Sequence, residues 1–278
     1  MTVPVPTSPD LPLLGAALSR RTLPLHRQWL LDHQRDLEIQ DFIEHALLDG
    51  DAEAVADEIA GMLDGYRGRL GLHGPFWGFR ISTEDPLVRA VVQKRFLQGL
   101  AVAERLGATQ MVIHSPFTTW DFNNLDAFPG AEARLVERVA ECLAPVIVRA
   151  RDIGCELVIE NIEDKDPSAR VRLAEVLGEP VRVSLDTGHA HYAHISTGAP
   201  PVDVYVHKAG PALAHVHLQD MDGYADRHWH PGEGSVNWPA IFRALAVASS
   251  AARLILEVKD QANLMKGANH LVALGLAR

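Results

Sequence analysis

The chain has 278 residues, with 26 lysines and arginines against 36 aspartates and glutamates, and a formal net charge of −10. That balance repels polyanions unless positive charge is locally concentrated, which excludes a general nucleic-acid coat. Hydrophobic residues at 47% and charged residues at 22% exclude a disordered or fibrous chain, and the length lies near the ~250 residues of a single (β/α)8 barrel.

The start of the chain, Met1 to Asp10, has neither a basic end nor an apolar run, so residues 1–12 are expected to form a tail without a signal peptide. From Leu13 onward, short apolar runs alternate with segments of helical period. Leu13–Ser19 is followed by an amphipathic stretch over 22–35, and Leu37–Phe42 by a helix over 52–65. Leu70–Phe76 leads to a helix over 86–106, whose stripe Val88, Val92, Phe96, Leu100 and Ala103 recurs every three or four residues. Asp85 suits its N-cap, Pro86 its first turn and Gly107 its left-handed stop.

The pattern continues with Met111–Ile113 and a helix over 132–153, then Leu157–Ile159 and a helix from Asp166-Pro167 to Gly178. Val181–Leu185 precedes a short helix at 202–209, Ala214–Leu218 a helix at 238–248, and Leu254–Val258 a last helix at 262–274. Eight strands alternating with eight helices imply parallel strands joined by right-handed crossovers and closed into a single-domain α/β TIM barrel spanning 13–278. An open doubly wound sheet is the alternative, but no Gly-x-Gly-x-x-Gly follows an early strand. Cys142 and Cys155 fall inside elements rather than framing loops and read as small buried hydrophobes. No uncharged apolar run reaches the ~18 residues of a membrane span, so a soluble cytoplasmic protein with no membrane partner is expected.

Barrel chemistry gathers at the carboxyl ends of the strands, and there the residue types are strongly biased. In chain order these ends carry His73, His114, Glu160, Asp186 with His189, His217 and Glu257, and the segment before the last strand adds Asp226 and His228. Imidazole nitrogen and carboxylate oxygen are the donors that zinc and manganese take. Three ionised carboxylates at one mouth would repel and desolvate one another, a cost that bound cations remove. His215, two residues before His217, is expected to support the site rather than to bind metal.

These residues resemble the xylose-isomerase-like TIM barrels, a superfamily of sugar isomerases and epimerases that also includes endonuclease IV. The resemblance implies that Glu160, Asp186, His217 and Glu257 hold one divalent ion and that Glu160 and Glu257 shuttle the proton. Its endonuclease IV branch, with three zinc ions, implies further ligands at His73, His114, His189, Asp226 and His228. One to three ions are therefore expected, zinc or manganese first. The segments around His114-Ser-Pro, Asn161–Asp166 and Gln219-Asp220 depart from the endonuclease pattern.

Two reactions compete for such a site. Proton transfer on a small sugar, polyol or sugar phosphate needs a polarised oxygen and a carboxylate pair, which Glu160 and Glu257 supply. Phosphoester hydrolysis, on abasic-site DNA or a small ester, would use the additional His/Asp ligands. Loop acids including Glu84, Asp121, Asp164, Asp166 and Asp222 disfavour a DNA backbone. The expected partner is thus a small carbohydrate or phosphate ester, with Trp77 and Trp120 as an apolar wall and Arg227 and Lys259 as phosphate contacts. Self-association into a homo-oligomer stays open.

Overall fold

The computed structural model describes residues 11–248 and 251–278, so the first ten residues of the expected tail lie outside it. Its strands are β1 (Leu14–Leu18), β2 (Leu37–Ile39), β3 (Leu70–His73), β4 (Gln110–His114), β5 (Glu156–Glu160), β6 (Val181–Asp186), β7 (Leu213–Leu218) and β8 (Arg253–Leu256). Each pairs in parallel with the next, and β8 closes on β1, giving an eight-stranded barrel. Among the described residues, no helix is long and apolar enough to cross a membrane.

Side-chain alternation separates two environments. Leu70 and Leu72 of β3, Met111 and Ile113 of β4, Leu157 and Ile159 of β5, and Leu254 and Leu256 of β8 join the large core between strands and helices. The other set faces the barrel interior, where Val112, Val158 and Ala214 form a small separate apolar cluster. Polar residues lie on either side of that cluster. Towards the amino ends, Arg253 donates to the Leu70 carbonyl at 2.9 Å and Gln110 to Glu156 at 2.9 Å. Towards the carboxyl ends stand the histidines and acids, and the register sets their neighbours: His114 lies beside Glu160, and Asp186 beside His217.

The helix Pro86–Leu106 has the expected ends, with the Asp85 carboxylate accepting from the Leu87 amide at 2.7 Å and Gly107 at φ +68°. Val92, Phe96, Leu100 and Ala103 of its stripe are buried, whereas Val88 is 39% exposed beside a surface cleft. The structure adds helices that the periodicity does not announce: His45–Asp49, Thr119–Asn123 and Thr187–Thr197. The last of these corrects the reading of His189 as a strand-end residue. Asp186 ends β6 and caps the new helix, accepting from the His189 amide at 2.6 Å.

One buried ion pair ties these layers together. Arg170, on the helix Ala169–Leu177, lies 3.0 Å from Asp164 and donates to the carbonyls of Ile159 in β5 and Ser184 in β6. Asp164 also accepts from the Ser115 hydroxyl at 2.8 Å and from the Ile162 amide at 3.1 Å, which fixes the loops after β4 and β5. Replacing Arg170 with Ala would strand the buried carboxylate, so chemical denaturation should show a stability loss of about 3 kcal/mol or more. A loss under about 1 kcal/mol would show that the pair is dispensable.

Candidate metal centre

Six strand ends and two connecting segments bring all nine expected ligands to the carboxyl-terminal mouth, in three donor groups of which two share Glu160. Glu160, Asp186, His217 and Glu257 form the central group. His73 and His114 join Glu160 on one side, and His189, Asp226 and His228 stand on the other. Within each group the candidate ligand atoms lie within 4.8 Å of one another. His217 Nδ1 is 2.7 Å from Glu160 Oε1 and 3.3 Å from Glu257 Oε2. Glu160 Oε2 lies 3.6 Å from His73 Nε2 and 3.5 Å from His114 Nε2. Asp226 Oδ1 lies 3.4 Å from His189 Nε2 and 3.1 Å from His228 Nε2.

The histidine rings are oriented from behind. A backbone carbonyl only accepts, so a ring nitrogen bonded to one must carry hydrogen and leaves the opposite nitrogen to face the carboxylates. His73 Nδ1 donates to the Gly74 carbonyl at 2.9 Å, His189 Nδ1 to Asn161 at 2.9 Å, and His228 Nδ1 to Glu257 at 3.2 Å. His114 is held by stacking on Phe76 at 4.1 Å instead. For His217 the orienting group is Glu38, a buried carboxylate in the middle of β2, 3.0 Å from Nε2. Glu38 lies also 3.1 Å from His215 Nε2, while His215 Nδ1 meets the Ser184 hydroxyl at 2.8 Å. His215 thus occupies the supporting position expected of it.

Amide side chains hold the acids. Gln40 donates to Glu257 Oε1 at 2.6 Å. Asn161 pairs with the Asp186 backbone in both directions, at 2.8 and 3.0 Å. Gln219 donates to Asp186 and Asp226 at 3.2 and 3.1 Å and accepts from the His228 amide at 3.1 Å. Its amide presses on Gly188, where any Cβ would collide with it. His228 itself has φ +49°, a left-handed backbone that an imidazole residue adopts at a cost of about 1 kcal/mol. A further clamp, Asp220, accepts from the amides of Gly232 and Val236 and from the Trp238 indole at 2.8 to 3.0 Å. Glu38, Gln40 and Gln219 escape a reading based on strand ends, although a lone acid at an inward position of a barrel strand was a signal for Glu38.

Burial alone would drive these groups neutral, and their mutual attraction reverses it. Burial opposes ionisation of Glu160, but His217, His73 and His114 hold it well below the usual carboxylate range. Burial opposes charge on His217, yet Glu257, Glu38 and Glu160 raise it well above the ordinary histidine value. His228 likewise rises to about 9 on account of Asp226 and Glu257, whereas burial pushes His114 down to about 3 and Asp186 up to about 6. The donor set fits divalent cations: neutral-capable imidazoles face carboxylates, and Glu160 Oε2 and Asp186 Oδ2 are buried without a hydrogen-bond donor.

The proposed substrate contacts are more dispersed. Trp77 lies tilted against Phe76, ring centres 4.6 Å apart, near His114. Trp120 stands 74% exposed in the surface cleft beside Val88, away from the nine donors. Arg227 pairs with Asp222 at 2.9 Å and lies 5.4 Å over Trp229. Lys259 is exposed beyond the end of β8, so strand alternation does not orient it; its amide donates to the His228 carbonyl at 2.9 Å, and it lines a shallow cavity with Asp226 and Arg227. The loop acids are partly neutralised by arginines on helices, Glu84 by Arg138 at 3.2 Å and Asp166 by Arg172 at 3.0 Å, which weakens the charge argument made from the sequence.

Residues 38–274 match the family described as the xylose isomerase-like TIM barrel. The chain belongs to that family. The uncharacterized protein ML2432 of Mycobacterium leprae is 30% identical over 173 residues, 58% of this chain and 60% of that one. Fructoselysine 3-epimerase of Escherichia coli O157:H7 is 30% identical over 104 residues, 36% and 37% of the two chains. This chain spans about three fifths of the length of the first curated relatives it matches. Among solved structures, the TTHB071 protein of Thermus thermophilus, soaked with ZnCl2, superposes with a TM-score of 0.73 at 27% identity, covering 95% of this chain and 99% of that one.

Two measurements probe the centre. Replacing Glu38 with Gln should weaken zinc or manganese binding about 10- to 100-fold in competition with a chromophoric chelator, because His217 loses its charged anchor. Unchanged affinity would mean that Glu38 plays no part in orienting the ligand. Loading metal into stripped protein at pH 7 should release protons, because His189, His217 and His228 carry charge there without a cation and must shed it to bind one. Affinity should accordingly rise with pH above neutrality, through the value of about 9 to which His228 is raised. Calorimetry in buffers of different ionisation enthalpy reads this directly, and zero proton release would contradict the charge assignment.

Proposed function

We propose that the protein is a divalent-metal-dependent isomerase or epimerase acting on a small sugar, polyol or sugar phosphate. The observation that carries this reading is the placement of Glu160 and Glu257 against one point, His217 Nδ1, at 2.7 and 3.3 Å within a single four-donor group. The likeness to fructoselysine 3-epimerase supports it. Glu160, Asp186, His217 and Glu257 would hold the ion, which when bound polarises a substrate carbonyl or hydroxyl and acidifies the adjacent C–H.

The chain's own residues then divide the work. Glu257 is the removable-proton acceptor: Gln40 fixes its Oε1 and leaves Oε2 directed into the site. Glu160 serves the opposite face, with Oε2 free of donors and able to return a proton. Asn161 and Gln219 hold Asp186 in place, and Glu38 keeps His217 from rotating. Phe76 and Trp77 supply an apolar edge beside His114.

A second reading, phosphoester hydrolysis, is favoured by one specific observation: the flanking groups His73/His114/Glu160 and His189/Asp226/His228 extend the donor set for additional cations. Metal stoichiometry on protein purified without chelators separates the two, one ion supporting isomerisation and three supporting hydrolysis. Incubation of a ketose panel in D2O should show exchange of the transferred hydrogen. Replacing Glu160 or Glu257 with Gln should lower that rate roughly a hundredfold or more. Cleavage of bis(p-nitrophenyl) phosphate or abasic-site DNA, with neither exchange nor isomerisation across the panel, would overturn the first reading in favour of the second.

A further inference from the structure

A large cavity lies away from the metal centre. A cleft of about 860 Å³ opens between the loops after β3, β4 and β5 and the helices beginning at Pro86, Ala131 and Ala169, and none of the nine donors lines it. Its walls carry Phe79, Phe117, Trp120 and Phe122. Exposed large apolar side chains collect here, with Trp120, Phe122, Phe128 and Val88 all on this cleft, and such a patch on a monomer's surface marks a binding site. A smaller cavity of about 160 Å³ shares Phe79, Arg80, Phe117 and Thr118 with it and has His114 in its own lining, so the cleft adjoins the His114 side of the metal centre.

The charge of the cleft runs against that of the chain. Of its carboxylates, Glu84, Glu132 and Asp166 are taken by Arg138 and Arg172. Arg80, Arg134 and Lys165 line it without an acidic partner, against Asp121 alone without a cation. Lys165 donates to the Asn123 amide oxygen at 2.9 Å and sits 5.3 Å over the Phe122 ring. Flat aromatic walls with unpaired cations above them match one ligand chemistry, an aromatic group bearing a negative charge.

We infer that this cleft is a second substrate subsite, which holds an anionic aromatic substituent while the sugar end of the same molecule reaches the metal centre past His114. The inference rests on the proposed carbohydrate reaction and sharpens it: the substrate is a conjugate, not a free monosaccharide. A cleft of this volume lies within the ~300–1,000 Å³ of small-molecule sites and exceeds what a single hexose ring fills. Arg80, at the junction of the two cavities, would meet the charge, and Trp120 would cover the ring.

Calorimetric titration of the metal-loaded protein with 2-naphthalenesulfonate, beside the neutral 2-naphthalenemethanol, tests this without turnover. The sulfonate should bind about tenfold more tightly than the alcohol. Trp120→Ala should weaken both ligands at least tenfold, and the double variant Arg80→Gln, Lys165→Gln should weaken the sulfonate alone to the level of the alcohol. Trp120, Arg80 and Lys165 carry no metal, and Trp120 and Arg80 stand exposed, so these variants keep the barrel. Affinities within twofold of the parent in every variant would overturn the subsite, as would sulfonate binding that vanishes on chelation, which places the ligand on the metal. Success here with reaction on neither free ketoses nor ketoses carrying an arylsulfonate substituent would remove the isomerase reading and leave the anionic-aromatic site standing. Failure here with reaction on free ketoses would do the reverse.

Discussion

Four carboxylates, those of Glu38, Glu160, Asp186 and Glu257, are buried at one end of the barrel. Their mutual repulsion in a poorly solvated space is the constraint that the rest of the structure answers. The neutralising charge is delivered by imidazoles, with His217 wedged between Glu38 on one ring nitrogen and Glu160 and Glu257 on the other. An imidazole here is more useful than a lysine or arginine, because it gives up its proton when a cation arrives and then serves as the ligand. On that exchange the contact of Nε2 with Glu38 would be kept, while Nδ1 would turn from facing Glu160 and Glu257 with a proton to facing a cation between them.

Everything directly behind that cluster is hydrogen-bonded to keep orientation, not to add charge. Gln40 and Gln219 are neutral amides whose two ends satisfy an acid and a donor at once, and Asn161 does the same for the backbone carbonyl and amide of Asp186. A charged residue in any of these positions would unbalance the cluster, whereas an apolar one would leave acid oxygens without donors. Farther out, the Arg170–Asp164 pair locks the loops after β4 and β5 to the carbonyls of β5 and β6, so the mouth inherits the rigidity of the sheet.

The barrel was legible in the sequence because its two periods differ and its helix ends are well marked, as at Asp85, Pro86 and Gly107. The grouping of His73, His114, Glu160, Asp186, His217 and Glu257 was legible because closure places strand ends side by side, whereas the placing of His189, Asp226 and His228 beside them rested on the family resemblance. Glu38 was not, since β2 spans only three residues and its acid lies in the middle of them. Gln219 was visible only as a departure from a family pattern, because its role depends on Gly188 and Asp226 approaching it from two separate segments. The helix at Thr187 was hidden by a His- and Thr-rich run with almost no amphipathic contrast, and its start is set by the Asp186 cap rather than by periodicity. The charge balance of the loops was legible only in part, because Arg138 reaches Glu84 from a helix distant in sequence, whereas Arg172 lies six residues past Asp166.

Asp226 and His228 differ from the other donors in what carries them. They sit on an excursion between β7 and the helix at Trp238 that is fastened to the barrel at several points, Asp220 accepting from Gly232, Val236 and Trp238, Gln219 meeting Asp226 and the His228 amide, and the Lys259 amide donating to the His228 carbonyl, while Asp226 remains 56% exposed. The segment is anchored by buried Met221, His230 and Val236, while exposed Asp222, Tyr224 and Asp226 between its fastenings can change without altering a strand or a register. Changes in this segment would therefore bear first on the group of His189, Asp226 and His228 and leave the four-donor group of Glu160, Asp186, His217 and Glu257, carried by strand ends, in place.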